Sequence, residues 1–196
     1  ITGSIASGKT SASKIISNKR GPIFNADNEV KKLYGNINFK RLVSKKLNFK
    51  LNKNFKINVK NKILKNVSNL KKIEKIIHPL VRKRMKIFLK ENKEKKMLFF
   101  EIPLLIENRL KKYFDYIVFV RSKGDLRLKR YLSSGGNKEL FSVLDKHQLK
   151  DTEKMKFCDH IVVNNKSLSM LKKKLLNIIK LYEWNFFRYW DNGFIF

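Results

Sequence analysis

Apolar residues recur along this chain in two rhythms. MLFFEIPLLIEN (97–108), YIVFV (116–120) and HIVVNN (160–165) are continuous apolar runs, the pattern of parallel strands buried on both faces. Pro103 stops the first of them. A very short fourth strand is predicted at Ile23 and Phe24, and Asn25, Ala26 and Asp27 follow where it would end. Elsewhere the spacing is helical. Ile63, Val67, Leu70 and Ile77 recur on one face of a Lys- and Asn-rich region over 39–92, which only Pro79 interrupts. Leu171, Leu175, Ile178 and Tyr182 mark an amphipathic C-terminal helix, and two basic helical pieces around DLRLKRYLSSGGNKEL are joined by a turn over 133–136 that would let them move. Short strands alternating with helices predict an α/β fold with a parallel central sheet. The aromatic tail YEWNFFRYWDNGFIF reads either as a packed terminus or as a partner site.

Composition narrows this picture. A chain of 196 residues suits one compact domain with a helical insertion, and 42% apolar content excludes wholesale disorder. No run approaches the ~18 apolar residues of a membrane span, and no signal peptide is visible. The lone Cys158 fits a reducing cytoplasm, and it shares no zinc-ligand spacing with His78, His147 or His160. A monomer or weak homo-oligomer is expected. The net charge of +30, from 46 Lys and Arg against 16 Asp and Glu, raises nucleic acid as a partner. Only nine of those cations are Arg, the lysines are dispersed, and Lys, Asn and Ile are what A/T-rich codons encode. Codon drift is therefore favoured over nucleic-acid binding, although the field would still attract phosphorylated metabolites.

The strongest chemical signal is GSIASGKT at 3–10, which fits G-x-x-x-x-G-K-[ST] without a mismatch. Gly3 and Gly8 let the backbone aim its N–H groups at phosphate oxygens, with Ala6, Ser7 and Ser11 beside them. A helix over 10–17 adds the positive end of its dipole. Lys9 would reach the β- and γ-phosphates of ATP, and the Thr10 hydroxyl would ligate Mg²⁺. A buried strand normally precedes such a loop; only Ile1 stands here, which suggests missing N-terminal residues. Asp27, at a strand end, is either a base facing the ligand crevice or the N-cap of the next helix. Glu101 ends a buried strand, as an outer-sphere partner of Mg²⁺ or one half of a structural ion pair.

Taken in order, ITGSIASGKT, FNAD, IHPLVR, IPLLIEN, YIVFV, RLKR and HQLKDTEKMKFCDHIVVNN resemble the dephospho-coenzyme A kinase family over nearly the whole chain. The resemblance implies a three-layer P-loop fold in one domain, 1–196. Within it lie a helical acceptor-binding subdomain over 35–95 and a helical lid over about 122–156. It implies transfer of the ATP γ-phosphoryl group to the ribose 3′-hydroxyl of dephospho-CoA. Asp27 matches the second Asp of the family's D-A-D motif and its proposed base, and Arg130 matches the lid arginine. Asn164 falls near the adenine of ATP. His78, Leu104 and Glu107 fall in the acceptor site, although His78 also suits a packed position and Glu107 a helix start. Lys154 and Asp159 would pair between lid and core. Several positions depart from the pattern. Ser4 and Ala6 replace glycines, Asn25 replaces the first Asp of D-A-D, Arg127 replaces Gln, and Ser134 stands near a second lid arginine, for which Lys129 or Lys138 would substitute. A nucleoside or nucleotide kinase, a basic nucleic-acid-binding protein switched by ATP, and an inactive relative are the competing readings.

Overall fold

The computed structural model describes residues 1–191, with side chains over 1–183; the side chains of most of the aromatic tail, and residues 192–196 altogether, therefore lie outside what is described. Four short strands form the sheet: β1 (Ile23–Asn25), β2 (Phe99–Glu101), β3 (Val118–Arg121) and β4 (His160–Val163). β1 pairs in parallel with β2, and β3 with β4. Residues 1–2 join the two pairs. Ile102 N donates to Ile1 O at 3.0 Å, Thr2 N to Val118 O at 2.9 Å and Val120 N to Thr2 O at 2.9 Å. Residues 1–2, just before the phosphate loop, thus occupy the centre of the sheet.

Helices cover both faces, as a parallel sheet requires. On one face α1 (Lys9–Ser17) and α9 (Leu168–Asp191) pack Ala12, Ile16, Leu171, Leu175 and Ile179 against Val118, Val120 and Val162. On the other, Phe24, Phe100, Leu105 and Ile117 form a core capped by Val81, Met85 and Phe88 of α5 (Ser68–Glu91). Fully buried Leu175 alone contributes roughly 1.5–3 kcal/mol.

A third core is purely helical. α2 (Ala26–Gly35), α3 (Ile37–Lys46), α4 (Phe55–Lys65) and α5 enclose Phe39, Val43, Phe55, Val59, Ile63 and Ile73. Asn25 and Asn36 cap α2 and α3 by accepting the backbone N–H groups of Asn28 and Phe39, so part of the Asn excess has a structural use. Two expectations need correction here. Ile63, Val67, Leu70 and Ile77 do not share one helix face: the chain breaks at Asn66, Val67 is 46% exposed, and the other three meet in the core from α4 and α5. Pro79 does not interrupt the region either, because α5 runs through it. Proline forfeits one helical hydrogen bond, and the packing of Ile73 on one side and Val81, Met85 and Phe88 on the other overrides that loss.

After β3 come α6 (Gly124–Ser133), α7 (Lys138–His147) and α8 (Asp151–Met155). Leu140 and Val143 of α7 pack onto the helical core, and His147 Nε2 lies 3.0 Å from both carboxylate oxygens of Glu74 on α5.

Candidate active site

The segment 3–8 turns over the carboxyl ends of the central strands and feeds directly into α1. Two of its glycines are required by contact. A Cβ on Gly3 would meet the Val120 carbonyl oxygen at 2.4 Å; one on Gly8, where φ is +97°, would meet Asn164 Nδ2 at 2.2 Å. Ala6 adopts φ +56°. A side chain in that left-handed conformation costs about 1 kcal/mol, which explains why glycine suits the position and why the small Ala6 is tolerated.

Lys9 is 6% exposed, and its ammonium donates to the Ser4 carbonyl at 2.8 Å, folded inside its own loop. Burial lowers its pKa from 10.5 to about 8, against the opposing pull of Asp27 and Glu101. Asp27 lies in the first turn of α2, with its surface open to solvent and protein on the remaining sides. Burial in this cleft raises its carboxyl above the usual range, and Lys9 opposes that rise. Asn25 is the N-cap, leaving the Asp27 carboxylate without a hydrogen-bond partner among the described residues.

Glu101 is 1% exposed and forms no ion pair among the described residues. It is held by hydroxyl and amide donors instead: Thr10 Oγ1 at 2.7 Å, Ser13 Oγ at 2.8 Å and Asn25 Nδ2. Hydroxyl and carboxylate oxygens are the donors that suit Mg²⁺, which takes few protein ligands and completes its shell with phosphate and water. The described residues hold no cluster of three or more His, Cys, Asp or Glu able to cage a metal without such help. Ser11 is exposed, and the contact to Glu101 comes from Ser13, one helical turn after Thr10.

Arg130 reaches this loop from α6. Its guanidinium donates to Ser122 Oγ at 3.0 Å and the Asn164 carbonyl at 3.1 Å, with the Ser7 carbonyl at 3.5 Å. Asn164 in turn donates Nδ2 to Ser7 O at 2.9 Å, so its side chain clamps the phosphate loop. Arg127 is engaged by Asp145, Nη2 to Oδ2 at 3.1 Å, and Ser134 donates to the Tyr131 carbonyl at 2.8 Å. Lys129 and Lys138 are exposed. A cavity of about 750 Å³ opens beside the loop, between Ser4, Ser122, Lys123, Arg127 and Gln148.

The residues expected on the acceptor side are more dispersed. His78 sits half-buried on α5; burial lowers its pKa, while Glu74 pulls the other way. Leu104 is half-buried in the loop after β2. No hydrogen bond joins His78, Leu104 and Glu107. Glu107 starts no helix. It pairs at 2.6 Å with Lys154, whose side chain is fully buried, and its Oε2 is buried without a partner. The expected pair of Lys154 with Asp159 is thereby corrected: Asp159 accepts the Ile117 N–H at 2.7 Å, because its position just before β4 points it at the start of β3. Lys154→Met would leave the Glu107 carboxylate buried and unpaired, at a cost of about 3–5 kcal/mol. A thermal melt should show Tm lowered by about 10 °C; a shift within about 2 °C would mean that another group satisfies Glu107. Sequence reading missed Ser13, Ser122 and Asp151, and no local pattern marks them, because their partners lie at distant positions in the chain.

Comparison with known proteins gives a consistent result. The family model for dephospho-CoA kinase matches residues 1–170. The chain is 34% identical over 184 residues to a dephospho-CoA kinase of Fusobacterium nucleatum, covering 89% of this chain and 93% of that protein. It is 30% identical over 185 residues to one of Rickettsia conorii, covering 92% and 94%. Among solved structures, a Thermus thermophilus protein superposes with a TM-score of 0.70 at 21% identity, covering 91% of this chain and 94% of that one. A dephospho-CoA kinase from Campylobacter jejuni gives 0.59 at 24% identity, covering 91% and 93%. At those identities the structures establish the fold, a P-loop α/β architecture.

Proposed function

The chain belongs to the dephospho-CoA kinase family, and on that premise we propose that it phosphorylates dephospho-CoA with ATP to give CoA. The acceptor atom is the ribose 3′-hydroxyl. The supporting observation is the convergence of Lys9, Thr10, Asp27 and Glu101 where the phosphate loop meets the carboxyl ends of β1 and β2. In the reaction the 3′-oxygen bonds to the γ-phosphorus as the bond to the β,γ-bridging oxygen breaks, and the hydroxyl proton passes to Asp27. A carboxyl raised above its ordinary range is better matched to that proton near neutrality. Lys9 and Arg130 balance charge on the transferring group, and the loop amides, with Gly3, Ala6, Ser7 and Gly8, hold the phosphates. Thr10 and Glu101 would hold Mg²⁺, which neutralises phosphate charge when bound.

On the acceptor side, His78, Leu104 and Glu107 contact dephospho-CoA, and the unpartnered Glu107 Oε2 offers an acceptor for one of its donors. Residues 35–95 form the acceptor-binding subdomain and 122–156 the lid. The enzyme works in the cytoplasm as a monomer or weak homo-oligomer, with no nucleic-acid partner; no helix among the described residues is long and apolar enough to cross a membrane.

A coupled ADP-release assay with MgATP, comparing dephospho-CoA, adenosine, AMP, CMP and no acceptor, tests the function. ADP formed only with dephospho-CoA is the expected result; turnover with none in a folded, ATP-binding protein would sink it. ATP affinity carries a second signature. The phosphates need the Lys9 ammonium, which the free enzyme loses as pH rises through about 8. The dissociation constant for ATP should therefore be flat below that pH and rise by up to about tenfold per pH unit above it. Calorimetric titrations at pH values from 6.5 to 9.5, roughly, bracket this break, and a flat profile throughout would contradict it.

A further inference from the structure

We propose that α8 is a strut coupling the phosphate loop to the acceptor loop, with Asp151 and Lys154 as positioning residues. Both ends of this five-residue helix are committed to opposite halves of the site. At its start, the Asp151 carboxylate accepts a hydrogen bond from Ser4 Oγ, and the Ser4 carbonyl holds the Lys9 ammonium at 2.8 Å. One turn later, fully buried Lys154 donates to Glu107 Oε1 at 2.6 Å and to Gln148 Oε1 at 3.1 Å. The backbone N–H of Leu149, in the segment leading into α8, donates to the same Glu107 oxygen at 3.2 Å. Asp151 and Lys154 are about 4.5 Å apart along the helix axis, too short a span to flex.

The connection depends on a departure of this chain. A glycine at position 4 would have no hydroxyl to give Asp151, so Ser4 provides a tether that the loop would otherwise lack. Ordering of the loop by nucleotide is transmitted through Ser4, Asp151 and the helix to Lys154, and so to the orientation of Glu107. Linkage makes the effect reciprocal.

The inference rests on the function proposed above, and its test separates the two. Calorimetry on the full chain measures dephospho-CoA affinity with and without a non-hydrolysable ATP analogue, and the ratio is the coupling factor. That factor should be roughly fivefold or more larger in the wild type than in Ser4→Gly or Asp151→Ala. The Ser4→Gly/Asp151→Ala double variant should go no lower than either single one. Asp151→Asn should keep the wild-type factor, since its amide oxygen still accepts the Ser4 hydroxyl. In steady state, Asp151→Ala should raise KM for dephospho-CoA several-fold although residue 151 touches only the nucleotide side; a local defect would raise KM for ATP alone. An unchanged factor in Ser4→Gly and Asp151→Ala, or an Asp151→Asn factor as low as that of Asp151→Ala, overturns the strut while leaving the kinase reading intact. A wild-type protein that binds no dephospho-CoA overturns both.

Discussion

Lys9→Ala should give a folded protein whose kcat/KM is lower by about 10³-fold or more, equivalent to about 4 kcal/mol of lost transition-state stabilisation. Phosphoryl transfer relies on positioning and charge rather than on covalent help from the protein, so a missing cation is felt almost entirely in catalysis. The fold should be nearly indifferent. Burial disfavours the charged form of Lys9, as its lowered pKa of about 8 shows. The native state therefore binds fewer protons than the unfolded chain between about pH 8 and 10.5, and the charged side chain is a burden on stability below that window. Truncation removes this burden while also removing the bond to the Ser4 carbonyl. Lys9→Met separates the two contributions, keeping most of the packed volume and losing the charge. It should be as inactive as Lys9→Ala with Tm closer to wild type. Activity within tenfold of wild type in either variant, measured by ADP release, would rule out the assigned role.

Legibility of the site in the sequence follows the range of the interactions. The phosphate loop was readable because six residues, 3–8, make their own turn and α1 follows without a break. The strands were readable as apolar runs, yet only three or four residues of each pair, because regular hydrogen bonding ends where the loops take over. Residues 1–2 show the limit of pattern reading: two residues join two strand pairs through contacts with β2 and β3, about 100 positions away. The helical region was legible as helical but not as divided, since the breaks at Asn36, Asn48 and Asn66 look like any other asparagine in a chain so rich in them. Charged pairs were least legible. Nothing local distinguishes Glu107 from Asp159 as the partner of Lys154, and only the fold brings the loop after β2 onto α8.

Asn25 is where the departures from the family pattern can be weighed physically. Its amide does two things that an Asp could not do together: Oδ1 caps α2 through the Asn28 N–H at 2.8 Å, and Nδ2 donates to Glu101. An Asp here would set a second carboxylate against Glu101, a repulsion that a bound cation could offset. With Asn, the Glu101 cage is complete from the protein's own donors, and the negative charge near Lys9 is confined to Glu101 and Asp27. Asp27 is thereby released from capping and remains available for chemistry.

Asp27→Asn should accordingly lower kcat by about 10²–10⁴-fold, the usual weight of a positioned general base. Nucleotide binding should persist, with one altered feature. The Asp27 charge supports the Lys9 ammonium, so its removal lowers the Lys9 pKa further and moves the onset of ATP weakening below pH 8. The sign of the stability change distinguishes a base from a structural acid. Burial raises the Asp27 pKa, so the native state holds its proton more tightly than the unfolded chain, and stability falls as pH rises through that window. An uncharged Asn at position 27 escapes that loss, and Tm at pH 7 should be no lower than that of the wild type. A carboxylate whose charge was needed for the fold, as one half of an ion pair, would behave in the opposite way, with Tm falling and kcat moving little. The wild-type rate should also decline as pH falls through the raised pKa of Asp27, and this acid limb should vanish from the small residual rate of Asp27→Asn. Retained kcat together with reduced Tm would assign Asp27 to the fold and leave the 3′-hydroxyl without a base on this chain.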